Sequence, residues 1–397
     1  MKGSLAGGRD NDAKADLVTA MPAEMTFTTV RGHQGLLAIA SEWALVVETL
    51  DRPDFFHQYK WYEAILQAWP EEADDILFVV AYRGSEAVAI FPLQLSRSRT
   101  LGIPVRSLRL PDPNYIAYPD FIYARSARNS TLFSQLLDYL RSGSQLNWDI
   151  LDVPRVFSSA SVVASATVDP PSAFFSHPRE LCYYFRCDEG MQTIEARISN
   201  GLRKHIRRCR RQLCELGDVE FVSSRDPAML PDLFDQFLSL EASGWKGVAG
   251  EATAIKLDPA LVEFYSGLLA RFAQDEACEV NLLRLGDTNI AGQFCLLSGG
   301  TWYHLKIAYD EAFEKYSPGF VLLENVLGRL CKDEDVHTAN FLTGAEWGQR
   351  WHPNELEVVR LIAHNRTVRG RLAMQEARTR RFIRERAIPL ARRFGKR

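Results

Sequence analysis

The sequence predicts an α/β protein of two units in tandem, each a mixed, mostly antiparallel sheet flanked by helices. Three observations carry this. The 397 residues exceed what one ordinary core holds, so two units of about 150 residues are expected. The order strand, two helices, β-meander, helix, strand occurs twice. A long, basic, amphipathic helix separates the two rounds.

Residues 25–30 alternate apolar and polar side chains, the period of a strand. Helical spacing follows over 35–50 and, after Pro53, over 54–69. Residues 76–82 and 87–95 read as strands joined by the turn 83–86, and 105–110 and 115–123 as two more. A helix over 130–141 leads to a strand at 148–153, and a Ser/Ala/Pro-rich stretch, to which no element is assigned, follows over 158–178. A strand at 181–186 precedes one helix over 191–216, whose apolar stripe is Ile194, Ile198, Leu202, Ile206, Cys209, Leu213 and Leu216. The second round has a strand at 219–223, helices over 230–243 and 259–274, and strands at 279–285, 290–298 and 301–308. A helix over 318–330 and strands at 340–342 and 355–362 close it, and residues 367–394 form a basic tail helix bent at Pro389. The expected division is a leader at 1–24, a first unit at 25–180 and a strand with a basic linker helix at 181–217. A second unit at 218–365 and a basic tail at 366–397 complete it.

Composition narrows the function. A hydrophobic fraction of 46% and a charged fraction of 24% are those of a soluble globular chain, and no apolar run nears the ~18 residues of a membrane span. The leader carries Asp10, Asp12 and Asp16 and no apolar core, which argues against a signal peptide. All seven cysteines lie beyond residue 181 and none forms a CxxC, so free thiols in the cytoplasm are expected. No histidine or cysteine cluster has metal-ligand spacing, so no metal is expected. The signatures of P-loop, dinucleotide-binding, zincin and serine-hydrolase sites are missing. The net charge of −3 conceals two basic blocks: seven Arg/Lys and no acid over 197–211, and twelve against two acids over 366–397. Such asymmetry points to an anionic partner. With Ile383, Ala387, Leu390 and Phe394 as a weak apolar stripe, the tail suits peripheral contact with the anionic inner membrane surface.

The chemistry concentrates in residues 305–319, where a strand runs through a short loop into a helix. Ser317 suits the N-cap, Pro318 the first helical position, and Gly319 lets an anion approach the backbone. The free amides of that turn and its dipole form a receptor for a pyrophosphate, and coenzyme A carries one.

Several motifs in order then resemble the GNAT-superfamily acyltransferases of the cellulose-biosynthesis CelD type, relatives of the Fem-like transferases. They are Arg203–Arg211 with Gly217-Asp218-Val219; Glu241 with Gly244-Trp245-Lys246-Gly247; Lys306-Ile307-Ala308-Tyr309-Asp310 with Ser317-Pro318-Gly319; and Phe341-Leu342-Thr343-Gly344-Ala345-Glu346. The resemblance spans roughly residues 30–365. It implies two tandem GNAT-like domains, the second holding an acyl-CoA (acetyl-CoA or longer) between two splayed strands, against Lys306, Ile307, Ser317, Pro318 and Gly319. Ala345 and Gln349 depart from the pattern, standing where the family often has an acid and a lysine.

Aminolysis of a thioester needs a neutral amine, and a free alkylamine is protonated at pH 7. A carboxylate in the cleft would take that proton, and Glu241, Asp310 and Glu346 are the candidates. A backbone N–H near Ile307 would meet the oxyanion, and Tyr309 would protonate the leaving thiolate. Trp245 and Lys246 would line the acceptor pocket, and Arg207 on the basic helix would contact an anionic substrate. The expected activity is acyl transfer from acyl-CoA to an amine of a cell-envelope polysaccharide or lipid precursor, the acceptor being a small molecule, lipid or glycan. The alternatives are a Fem-like transferase using aminoacyl-tRNA, gripped around Arg207, and a non-catalytic scaffold of polysaccharide biosynthesis.

Overall fold

Both halves of the chain build a sheet in the same way, and the two sheets are one. The computed structural model describes residues 25–100, 102–112, 117–128, 131–168 and 174–382. The first half runs β1 (Met25–Arg31), α1 (Gly32–Ala38), α2 (Ala40–Glu48), α3 (Tyr59–Ala68), β2 (Ile76–Arg83), β3 (Glu86–Thr100), β4 (Ile103–Arg109), β5 (Ile122–Tyr123), α4 (Leu132–Ser142), β6 (Ile150–Phe157), α5 (Ser161–Val168) and β7 (Phe174–Arg186). The second runs α6 (Met191–Arg197), α7 (Asn200–Leu216), β8 (Val219–Ser224), α8 (Leu230–Ser243), α9 (Pro259–Ala273), β9 (Cys278–Leu285), β10 (Thr288–Ser298), β11 (Thr301–Tyr309), α10 (Pro318–Leu330), β12 (Thr338–Asn340), α11 (Glu346–Gln349), β13 (Asn354–His364) and α12 (Val368–Phe382).

The strands lie in the order β1-β2-β3-β4-β6-β13-β7-β12-β11-β10-β9-β8, with β5 on β3. Each half is an antiparallel meander ending in a parallel pair, β4 with β6 and β11 with β12. The closing strands are exchanged: β7, from the first half, pairs with β12, and β13, from the second, pairs with β6. β7 and β13 then pair with each other, Asn354 opposite Tyr184 through Ala363 opposite Phe174, and fuse the sheets. The expected boundary at residues 180/181 falls inside β7. One apolar cluster on a single face joins α1–α3 of the first half to α8 and α9 of the second. On the opposite face, α4 and α5 cover the first half and α6, α7 and α10 the second.

Three expectations are corrected, and one unassigned stretch is filled. The helix over 191–216 is two helices, because Ile198 is extended and the Ser199 hydroxyl caps a new start by accepting from the Leu202 amide at 3.2 Å. Leu202, Ile206, Cys209 and Leu213 of its stripe are buried as the periodicity requires. The stretch 158–178, where the sequence assigns no element, holds α5 and the start of β7. Pro178 is tolerated there because it sits at a register shift opposite Val359, where a missing N–H breaks no regular ladder. The helix over 54–69 begins with a 3-10 turn at Phe55–His57. Of the strand at 115–123 the described part keeps only β5. The leader, Pro389 and the apolar stripe of the tail lie outside the described residues. No helix among the described residues is long and apolar enough to cross a membrane.

Candidate active site

β11 outruns its parallel neighbour. Thr301, Trp302 and Tyr303 pair with β12, but β11 continues to Tyr309 held by β10 alone. Its far edge therefore opens towards α10, and a cavity of about 600 Å³ fills the gap. That volume suits a small ligand. Ile307, Ala308 and Tyr309 form one wall, and Ser317, Pro318, Gly319 and Phe320 at the start of α10 another. Trp245, Gln293, His304, Glu314, Trp347 and Arg350 add the other polar and aromatic side chains, and Gly292, Leu322 and Leu323 the rest of the lining.

The first turn of α10 is exposed to this cavity. A Cβ built on Gly319 meets no atom within 4 Å, so a ligand can approach the backbone there. Ser317 occupies the expected N-cap position, but in a left-handed conformation (φ 45°) that keeps its side chain off the helix amides. Its hydroxyl instead lies 2.9 Å from His205 Nε2. The Arg208 guanidinium, which can only donate, reaches His205 Nδ1 at 3.1 Å. Nδ1 is therefore the acceptor, and a neutral ring carries its proton on Nε2 and donates to Ser317. Burial, then Arg208 and Arg350, lower the His205 pKa and favour that neutral ring. The Ser317 hydroxyl proton is left to point into the cavity. With Arg350, whose guanidinium stacks 5.0 Å from the Phe320 ring centroid, this gives the mouth donors suited to an anion, and the Glu314 carboxylate stands on the same lining.

A β-bulge decides which side chains face the cavity. Phe294 is opposite Lys306 and Cys295 opposite His304, so Leu305 is an extra residue in β11. His304 and Ile307 consequently line the cavity, while Lys306 turns to the other face, its ammonium 5.4 Å from the Tyr265 ring centroid. His304 is buried between Trp302, Phe341 and Trp347, and its Nε2 has no partner among the described residues. Burial, then Lys246, push its pKa down to about 3. The Gln293 Oε1 on the same lining is also buried without a partner among the described residues. Unpaired buried polar atoms are costly unless a ligand completes them.

The sequence-selected residues divide into three groups. Trp245, Ile307, Tyr309, Ser317, Pro318 and Gly319 meet at the cavity, with the Trp245 and Tyr309 rings 4.9 Å apart. Burial, then Glu314 and Glu311, raise the Tyr309 pKa and keep its hydroxyl protonated. Glu241 and Lys246 form a buried tie behind the splay. Glu241 Oε1 accepts from Lys246 Nζ at 2.9 Å and Oε2 from the Ile255 amide at 2.9 Å, while Lys246 also donates to the Ile307 carbonyl at 2.6 Å. The remaining residues stand apart. Asp310 caps the following turn through the Ala312 amide, Glu346 is exposed at the start of α11, and Arg207 lines a separate groove on α7. His205, Gln293, Trp347 and Arg350 escape the sequence reading, which takes His304 only as a core or surface histidine on the strand of Lys306. The signal that existed was the alternation of His304 with Trp302 on one strand face.

Residues 200–352 match the family model described as Acetyltransferase (GNAT) domain. The chain carries a GNAT acetyltransferase domain there and is an enzyme of the acyltransferase class. Among solved structures it is similar to FemX, at 11% identity and a TM-score of 0.53, over 81% of this chain and 95% of that one; the likeness is one of fold. A conserved protein of unknown function from Bacteroides thetaiotaomicron gives a TM-score of 0.47 at 13% identity, covering 86% of this chain and 100% of that one. A tandem GNAT protein from the clavulanic acid biosynthesis pathway gives 0.43 at 10%, covering 85% and 98%. No curated protein matches the chain.

Proposed function

We propose that the chain is an acyl-CoA-dependent N-acyltransferase of the CelD type, acting on an amine of a cell-envelope polysaccharide or lipid precursor. The observation that carries this reading is the single cavity running from the splayed edge of β11 to the open first turn of α10. The donor's pyrophosphate would take the Gly319 amide, the Ser317 hydroxyl and Arg350, and its thioester would lie along Ile307. The amine attacks the thioester carbon, the oxyanion forms beside the Ile307 amide, and the C–S bond breaks as Tyr309 protonates the thiolate; the proton that nitrogen sheds on forming the amide restores the Tyr309 hydroxyl. Held near pKa 3, His304 is a poor base for an ammonium, so the amine enters neutral and His304 Nε2 orients it by a hydrogen bond. Calorimetry with acetyl-CoA and a longer acyl-CoA tests the donor. Saturable binding of either one supports the reading, and binding of neither sinks it.

One observation favours a second reading, transfer from aminoacyl-tRNA. A groove of about 630 Å³ beside α7 is lined by Arg203, Arg207, Arg210, Arg329 and Lys332, against Glu195 and Glu324. RNA bound there would weaken steeply with salt as counterions are released. Tight, salt-sensitive tRNA binding without acyl-CoA binding would select it.

A further inference from the structure

We infer that Lys306 anchors an anionic group, a carboxylate or phosphate monoester, carried by the amine acceptor itself. The inference rests on the transferase reading above. The bulge at Leu305 places Lys306 on the face of α8 and α9, away from the donor cavity, while Ile307 beside it lines that cavity. The Lys306 ammonium is half-buried, and among the described residues its one contact of note is the Tyr265 ring. The carboxylate acting on it, Glu241, is already committed to Lys246 and to the Ile255 amide. Two lysines therefore share one acid, and the surplus positive charge has lost much of its water. Burial, then Lys246, accordingly lower the Lys306 pKa against the opposing pull of Glu241. The Tyr265 ring under that ammonium carries a buried hydroxyl that has no hydrogen-bond partner among the described residues.

A cation without its anion and a hydroxyl without its acceptor are together complementary to an oxyanion with more than one acceptor oxygen. The donor's phosphates do not meet this need, because their receptor at α10 opens on the opposite face of β11. Adjacent strand residues are about 3.3 Å apart. The anion at Lys306 thus lies across β11 from the reacting centre at Ile307, about one side chain from its backbone, and amine and anion belong to one head that passes the free edge of the strand: an amino acid or an aminoalkyl phosphate.

Two measurements on the full chain decide this. In the first, acetyl-CoA is the donor and acceptors are compared in pairs, 3-aminopropanoate with propylamine and O-phosphoethanolamine with ethanolamine. The wild type should favour an anionic member by about tenfold or more in kcat/KM, expressed in KM. Lys306→Met should collapse that preference, Lys306→Arg should retain part of it, and acetyl-CoA affinity should be the same in all three. In the second, lysines are labelled with acetic anhydride and mapped by mass spectrometry in chloride, acetate or inorganic phosphate. Saturable protection of Lys306 by acetate marks a carboxylate acceptor, and by phosphate a phosphorylated one. Three results overturn the inference: labelling of Lys306 indifferent to both anions, loss of acetyl-CoA affinity in Lys306→Met, or stable acetylation of Lys306 by acetyl-CoA alone. Should acetyl-CoA fail to bind the wild type, the transferase reading falls, and the labelling still decides whether Lys306 holds an anion.

Discussion

The two halves share a plan and differ at one place, the opening beyond the parallel strand pair. In the second half β11 runs six residues past its last β12 partner, and the space in front of it is a cavity. In the first half β4 stops at Arg109, its last partner of β6. The chain leaves and returns as β5, which pairs Tyr123 with Ala89 of β3, as Tyr309 pairs with Ala291 of β10. Tyr118, Phe121 and Tyr123 are buried on the way, so the chain itself fills that region. The helices that follow differ in the same sense. The second amide of α4, Phe133 N–H, donates to the Ser165 hydroxyl at 3.1 Å inside the core, whereas the first turn of α10 faces open space. The difference is one of filling: the first half occupies the space with its own side chains, and the second leaves it open.

The supports behind the openings differ too. The second residue of β2 is Leu77, in an apolar core, and the second residue of β9 is Glu279, equally buried. Glu279 takes Arg225 at 2.8 Å, Trp302 at 2.9 Å and Arg329 at 2.5 Å, tying β9 to β11 and α10. Removing one partner of a buried ion network leaves the others uncompensated, so Glu279→Ala should cost about 3–5 kcal/mol. Urea denaturation checks this, and a cost below about 1 kcal/mol would mean that the network supports nothing. Next comes Gly319→Trp, whose side chain has room to enter the cavity without displacing protein. Acetyl-CoA affinity should fall about 100-fold, roughly 2.7 kcal/mol, while the thermal midpoint stays put. Unchanged affinity would break the contrast between an open and a filled half.

His304→Leu should lower kcat/KM by about tenfold with no loss of stability, since a buried unpaired nitrogen is exchanged for an apolar group of similar size. With the ring's pKa near 3, the wild-type rate profile should owe no inflection between pH 5 and 8 to His304. An inflection near 6.5 that disappears in the variant would show a working base instead. The smallest effect belongs to the filled half. Ser165→Ala should cost about 1 kcal/mol by orphaning the Phe133 amide, with acetyl-CoA binding untouched. Any change in donor affinity there would mean that the first half takes part in the donor site.

Two walls of the cavity could be read from local pattern. Ser317-Pro318-Gly319 announces a helix start with room for an anion, because cap chemistry is set by neighbours in sequence. The alternation in residues 301–309 announces a strand, but not the extra residue at Leu305. A bulge is decided by the partner strand, and it alone turns Lys306 away from the cavity and leaves His304 facing it. The His205–Ser317 contact joins residues 112 positions apart, and Trp347 and Arg350 arrive from yet another loop. No spacing rule reaches that far.

By itself the sequence determined what short-range physics controls: the helices and strands by their periods, the twofold recurrence of their order, and the amide turn at the head of α10. Tertiary structure alone decided that β7 and β13 change places and merge two sheets, that one opening is plugged and the other is not, and which face of β11 carries charge. The reason is the same in each case. Backbone partners and burial are long-range quantities, and a side chain's role follows from which of them it is given.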